Sequence, residues 1–174
     1  MCIRDSDCIT ENSFSCAVEN EFEEISSSNN SSSNPTVPDC IELAIEIDQY
    51  TRNTFSSNTS ASTWAHAIIA GVSQVYFGEV SVHINVVNTI IWNTVDPYAS
   101  IINDAGTMLS TLRNHWTANN GSIPRDLVHL LTKRSNTGTG GIAYVDVLCS
   151  NSWGYAFSSD LNSNTSFSFP NPSY

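Results

Sequence analysis

Four histidines are the first candidates for chemistry in this chain, and their spacing argues against a metal centre built from them. His66, His83, His115 and His129 lie 17, 32 and 14 positions apart. No two fall at the i, i+4 interval that sets a pair of imidazoles on one helical face around a zinc ion. We read them as structural histidines, two on helices (His66, His115) and two on strands (His83, His129), and assign no metal ligand to the chain. The five cysteines, Cys2, Cys8, Cys16, Cys40 and Cys149, form no C-x-x-C pair and have no histidine at finger spacing. Disulfides in an oxidising compartment fit them better. Their odd number leaves at least one free, or paired outside the chain.

Other chemical patterns are weaker. Thr137-Gly138-Thr139-Gly140-Gly141 resembles a phosphate cradle, but it precedes a strand, and no Gly-Lys-Ser/Thr follows. Glycines directly before Ile142 have another use, since a strand end without side chains lets a second backbone approach closely. That is what an edge that binds peptides by strand addition requires. Gly71-Val72-Ser73-Gln74-Val75 lacks the last glycine of a nucleophile elbow and falls within a helical pattern. Glu42 and Glu46 share a strand face, which reads as solvated and not as an acid-base pair.

The elements that must position these residues follow from periodicity. The formal charge of -11 comes from 17 acids against 6 bases, a balance that disfavours nucleic acid and anionic membranes as partners. No run of about 18 apolar residues occurs. Residues 26–34 are all Ser or Asn and lead into Pro35 and Pro38, a composition that cannot offset its ordering entropy. We expect residues 1–38 to be an acidic tail of a pro-region with a disordered linker, and residues 39–174 to form the N-terminal part of one domain. The first residues carry no signal-peptide pattern.

From Cys40 the chain alternates, with Ile41, Leu43, Ile45 and Ile47 on one face and Glu42, Ala44, Glu46 and Asp48 on a face expected to be wet. Residues 59–77 switch to helical spacing, with Gly78 as the expected terminator. Residues 79–92 return to period two. Asp96 and Pro97 read as N-cap and first helical residue of a second long helix that ends near Asn119 and Asn120. Short strands follow at 127–132, 142–147 and 153–158. Strands joined through helices pair in parallel by right-handed crossovers, and the wet faces place both helices on one side of the sheet.

A resemblance becomes specific at residues 125–149, RDLVHLLTKRSNTGTGGIAYVDVLC. Asp126, the run His129-Leu130-Leu131-Thr132, the run Gly141-Ile142-Ala143-Tyr144-Val145 and Cys149 resemble reprolysin-type (adamalysin-like) zinc metallopeptidases of the metzincin clan, in bacterial form. In those a buried strand ending in HLLT, a Gly-rich loop and an edge strand follow in the same order. CIELAIEIDQY at 40–50 and IIWNTVDPY at 90–98 add to the likeness, which covers about residues 39–160.

The resemblance implies an α/β fold, a metzincin-like N-terminal subdomain. Its twisted, mostly parallel five-stranded sheet has an antiparallel edge strand and, on our reading, two long helices on one face. It implies zinc as cofactor, a polypeptide substrate and an extracellular setting. Gly140, Gly141, Ile142 and Ala143 would form the upper rim of the substrate cleft, and Cys149 would pair with a cysteine farther downstream. Asp146 departs from the glycine usual after AYV, and Gly140 stands where a bulkier residue is common. The larger departure is that H-E-x-x-H-x-x-G-x-x-H, whose histidines hold zinc and whose glutamate is the general base, does not occur in the chain. We therefore expect a fragment of a secreted zinc metalloendopeptidase, inactive alone, that supplies scaffold and substrate edge. The alternative is a non-catalytic extracellular binding or adhesion module with the same fold. An unrelated α/β enzyme has no supporting motif.

Overall fold

The computed structural model describes residues 39–148 and 150–161. The expectations for residues 1–38, for Cys149 and for residues 162–174 fall outside them. The order is β1 (Asp39–Ile47), α1 (Gln49–Arg52), α2 (Asn58–Val80), β2 (Val82–Ile91), α3 (Ala105–Asn119), β3 (Leu127–Leu131), β4 (Gly141–Ala143) and β5 (Tyr155–Ser158). The strands form one sheet in the order β2-β1-β3-β5-β4. The first four run parallel, and β4 joins β5 antiparallel. Among the described residues no helix is long and apolar enough to cross a membrane.

The helices lie on opposite faces of this sheet, not on one. Leu43, Ile45 and Ile47 pack with Ala61, Ala65, Ile68 and Ile69 of α2. Ala44, one position out of phase, packs with Met108, Leu109, Leu112 and Trp116 of α3, together with Val128, Leu130, Tyr155 and Phe157. Because side chains alternate across a strand, both faces of β1 are core.

The expectation of a wet face failed at Glu46 and Asp48, both fully buried. The Glu46 carboxylate accepts hydrogen bonds from Tyr98 Oη (2.9 Å), Trp92 Nε1 and Trp116 Nε1. These donors satisfy an acid that would be prohibitive to bury alone. Burial still pushes its pKa above the ordinary carboxylate value, with the three hydrogen bonds and His115 pulling the other way. Asp48 caps α1 by accepting the Thr51 N–H (2.9 Å), and its other oxygen takes the Thr132 hydroxyl (2.6 Å). Each acid reads as solvent-exposed by type, and its partners lie between 3 and 84 positions away.

Helix α3 begins at Asp104, whose carboxylate caps the Thr107 N–H (2.9 Å), and not at Asp96. Asp96 does accept the Tyr98 N–H (2.8 Å), but its second oxygen takes the N–H of Gln49 (2.9 Å). The segment behind it is held in turns: Arg134 donates to the carbonyls of Tyr98 (2.8 Å) and Ile101, and Asn103 adopts a left-handed φ of 52°. Helix α2 runs past Gly78 to Val80 and ends where Ser81 turns left-handed at φ 57°.

Candidate functional site

The expected rim, Gly140 to Ala143, lies at the β4 edge of the sheet. All three residues of β4 are exposed, and Gly141, Ile142 and Ala143 oppose Ser158, Phe157 and Ala156. The carbonyl of Gly140 accepts from Ser159 N–H (2.9 Å), and the Tyr144 N–H donates to Tyr155 O (3.2 Å). In an antiparallel ladder, alternate residues turn their backbone groups toward opposite sides. The N–H and C=O of Gly141 and Ala143 therefore point away from β5, off the edge of the sheet. This row of main-chain groups is what an added strand would use.

The two glycines of the rim serve different ends. A Cβ on Gly141 would stand 2.8 Å from Phe157 O, so this glycine is needed for β4 to close on β5. Around Gly140 nothing lies within 4 Å of a built Cβ, so the open approach expected of the pair belongs to Gly140 alone. The loop before the rim is tied down. Thr137 Oγ1 lies within hydrogen-bond distance of Thr139 O (2.7 Å) and Ser159 Oγ (2.8 Å), with one hydrogen to donate between them, and Ser159 Oγ donates to Thr139 O. Gly138, at φ 86°, packs on the Asn103 backbone, where a Cβ would meet carbonyl carbon at 3.0 Å.

The far end of the rim is aromatic, which the sequence did not signal. Tyr144 meets Trp153 edge to face at 5.0 Å, and the Arg113 guanidinium lies 3.6 Å over the Trp153 ring. Arg113 Nε also donates to Ser152 O (2.7 Å), so α3 anchors the turn that leads into β5. Beyond it Asp146 sits at φ 59°. This left-handed region favours glycine, which gives a physical reason for the glycine usual there in the proteins this stretch resembles.

The four histidines occupy separate environments. His66 on α2 bonds Thr89 Oγ1 (2.9 Å), His83 stacks on Phe77 (4.2 Å), and His115 lies 5.3 Å from the Trp92 ring. His129 on β3 bonds Ser158 Oγ (2.9 Å), and burial pulls its pKa down to about 4. Among the described residues no group of three or more His, Cys, Asp or Glu side chains could hold a metal ion. Cys40 is disulfide-bonded, and every other cysteine of the chain lies outside the described residues.

The sequence model of metallo-peptidase family M12, in its reprolysin-type form, matches residues 38–172. The chain belongs to metallopeptidase family M12. No curated protein matches it. Among solved structures, the M12 domain is similar to a chain of a chaperone–substrate complex, with 13% identity and a TM-score of 0.52, over 69% of this chain and 20% of that one. It is also similar to metalloproteinase-II from Bacteroides fragilis, with 11% identity and a TM-score of 0.47, over 74% of this chain and 39% of that one. The domain thus spans well under half the length of either chain, and the first likeness concerns the fold alone.

Proposed function

We propose that this M12 domain is the upper part of the catalytic unit of a secreted zinc metalloendopeptidase, and that β4 binds the polypeptide substrate. The observation that carries the reading is the exposed edge at Gly141 and Ala143, whose main-chain groups face outward beside the open position at Gly140. An extended peptide laid antiparallel to β4 would exchange N–H···O=C bonds with Ala143 and, where Thr139 yields, with Gly141, whose carbonyl now accepts the Thr139 hydroxyl (3.2 Å). Such bonds fix the register of the substrate, while Ile142, exposed opposite Phe157, offers an apolar surface to its side chains. Among the described residues no group fits a zinc site, so no zinc ligand is assigned to them. No step of hydrolysis is assigned to these residues.

The test is to express the full product of the gene, and to compare cleavage of peptide libraries by the parent and by a Gly140→Leu variant. Leucine at 140 has room in the fold but would crowd the incoming strand. Unchanged specificity and unchanged kcat/KM in that variant would exclude β4 as the rim. Peptide binding without cleavage would favour the binding module.

A further inference from the structure

Just past β4 the chain carries a carboxylate that the fold does not use. The Tyr144 N–H still donates to Tyr155 O, and the chain then bends at Val145 and Asp146. Asp146 holds its φ of 59° in the left-handed region, where an aspartate outside a helix is usually held by a local hydrogen bond of its own side chain. Asp146 makes no such bond. Asp48, Asp96, Asp104 and Asp126 each accept a backbone N–H, whereas the exposed side chain of Asp146 has no hydrogen bond or ion pair with another described residue. Arg113 is engaged elsewhere, over the Trp153 ring and on Ser152 O. The side chains around this bend are apolar: Val145 is 85% exposed, and Leu148 is exposed with it.

An unpaired carboxylate beside exposed apolar side chains matches a long basic side chain, whose aliphatic stem lies on apolar surface while its cationic head reaches the acid. The formal charge of -11 works in the same direction, drawing basic peptides and repelling acidic ones. Strand addition also fixes where the basic residue must stand. A peptide antiparallel to β4 carries its N-terminal part past Asp146, because β4 itself runs from Gly141 toward that residue. Ala143 is the last residue of β4, and Asp146 follows three residues on, a reach of at most about 10 Å of chain. At about 3.3 Å per strand residue, the peptide side chain beside Asp146 belongs to a residue roughly one to three positions N-terminal to the one that bonds Ala143.

Resting on the reading of β4 as the substrate edge, we propose that Asp146 is a specificity-determining residue, selecting polypeptides that carry Lys or Arg N-terminal to the residue that bonds Ala143. The full product of the gene is assayed on peptide pairs with lysine or norleucine, which keeps the stem without the charge, at each position in turn. The parent should prefer lysine at one position about three- to fivefold in kcat/KM, a preference that fades as salt is raised. Asp146→Asn, which tolerates the same left-handed φ, should bring that ratio near one with near-ultraviolet circular dichroism unchanged. Asp146→Lys should turn the preference toward glutamate at the same position. A parent indifferent to lysine, or a ratio equal in the parent and the asparagine variant, overturns the proposal. If Gly140→Leu alters cleavage while the lysine preference survives Asp146→Asn, β4 stands as the rim and this inference falls alone; if Gly140→Leu alters nothing, the rim reading falls and this inference with it. For a product that binds peptides without cleaving them, the same ratios are read from dissociation constants, and a product that does neither overturns both.

Discussion

Glu46 is the sharpest place to test the physics of this fold, because a buried carboxylate there is held by three donors from two loops and a helix. Replacing it with glutamine keeps the shape but puts an N–H2 group where one oxygen stood. That group faces either the Trp116 N–H or, flipped, the Trp92 N–H and the Tyr98 hydroxyl. In either pose at least one buried donor loses its acceptor, at a cost of about 1–3 kcal/mol. For a domain of this size the melting temperature should fall by roughly 3 to 10 °C. The pH dependence carries more information. Burial raises the folded-state pKa of Glu46 above its ordinary 4.5, so the unfolded chain releases this proton first as pH rises. The stability Glu46 contributes is then full below about pH 4.5 and declines as pH climbs through the folded value. Thermal melts of parent and Glu46→Gln between pH 4 and 8 should show the parent's advantage shrinking with rising pH. Asp48 and the other acids cancel in the difference. An advantage that grows with pH would mean that the three donors outweigh burial, and equal stability at every pH would refute the network.

Further outcomes follow from single residues. His129, with its pKa held near 4 by burial, should destabilise the fold as pH falls from 6.5, where the unfolded chain protonates, toward 4. The full linkage is discounted because His129 as a residue is only partly buried, leaving about 2 kcal/mol, and urea titrations should show this acid limb lost in His129→Gln. Gly141→Ala should cost about 1–3 kcal/mol, because its Cβ would meet Phe157 O at 2.8 Å, whereas Gly140→Ala should change urea stability by less than about 0.5 kcal/mol. Asp146→Gly should raise stability by about 1 kcal/mol by relieving the left-handed φ of 59°, as read from thermal melts.

What the sequence made legible is what local periodicity encodes. The alternation of Ile41, Leu43, Ile45 and Ile47 placed β1, the helical stripe through Ile68 placed α2, and the order of elements gave the mostly parallel sheet, while its antiparallel edge came with the family resemblance. What it hid depends on contacts between distant positions. Glu46 and Asp48 looked exposed because acids usually are, and the indoles, phenol and hydroxyl that satisfy them arrive only with the fold. Asp96 looked like a helix cap because its nearest partner, the Tyr98 N–H, is local, while the bond to Gln49 N–H that holds it in a turn crosses 47 positions. The rim glycines were legible as a pair, but only packing separates Gly141, which β5 requires, from Gly140, which stands open. The aromatic end of the rim, with Arg113 over Trp153, joins residues 40 positions apart and left no local signal.

The proposed function rests on β4 presenting a substrate edge to a zinc-dependent active site completed by residues outside this chain. Its most direct test is cleavage of internally quenched peptides by the full product of the gene, before and after removal of metal by a chelator. The account expects cleavage that chelation abolishes and zinc restores, and none from the 174-residue chain alone. Cleavage that persists without metal, or by the 174 residues unaided, would contradict it.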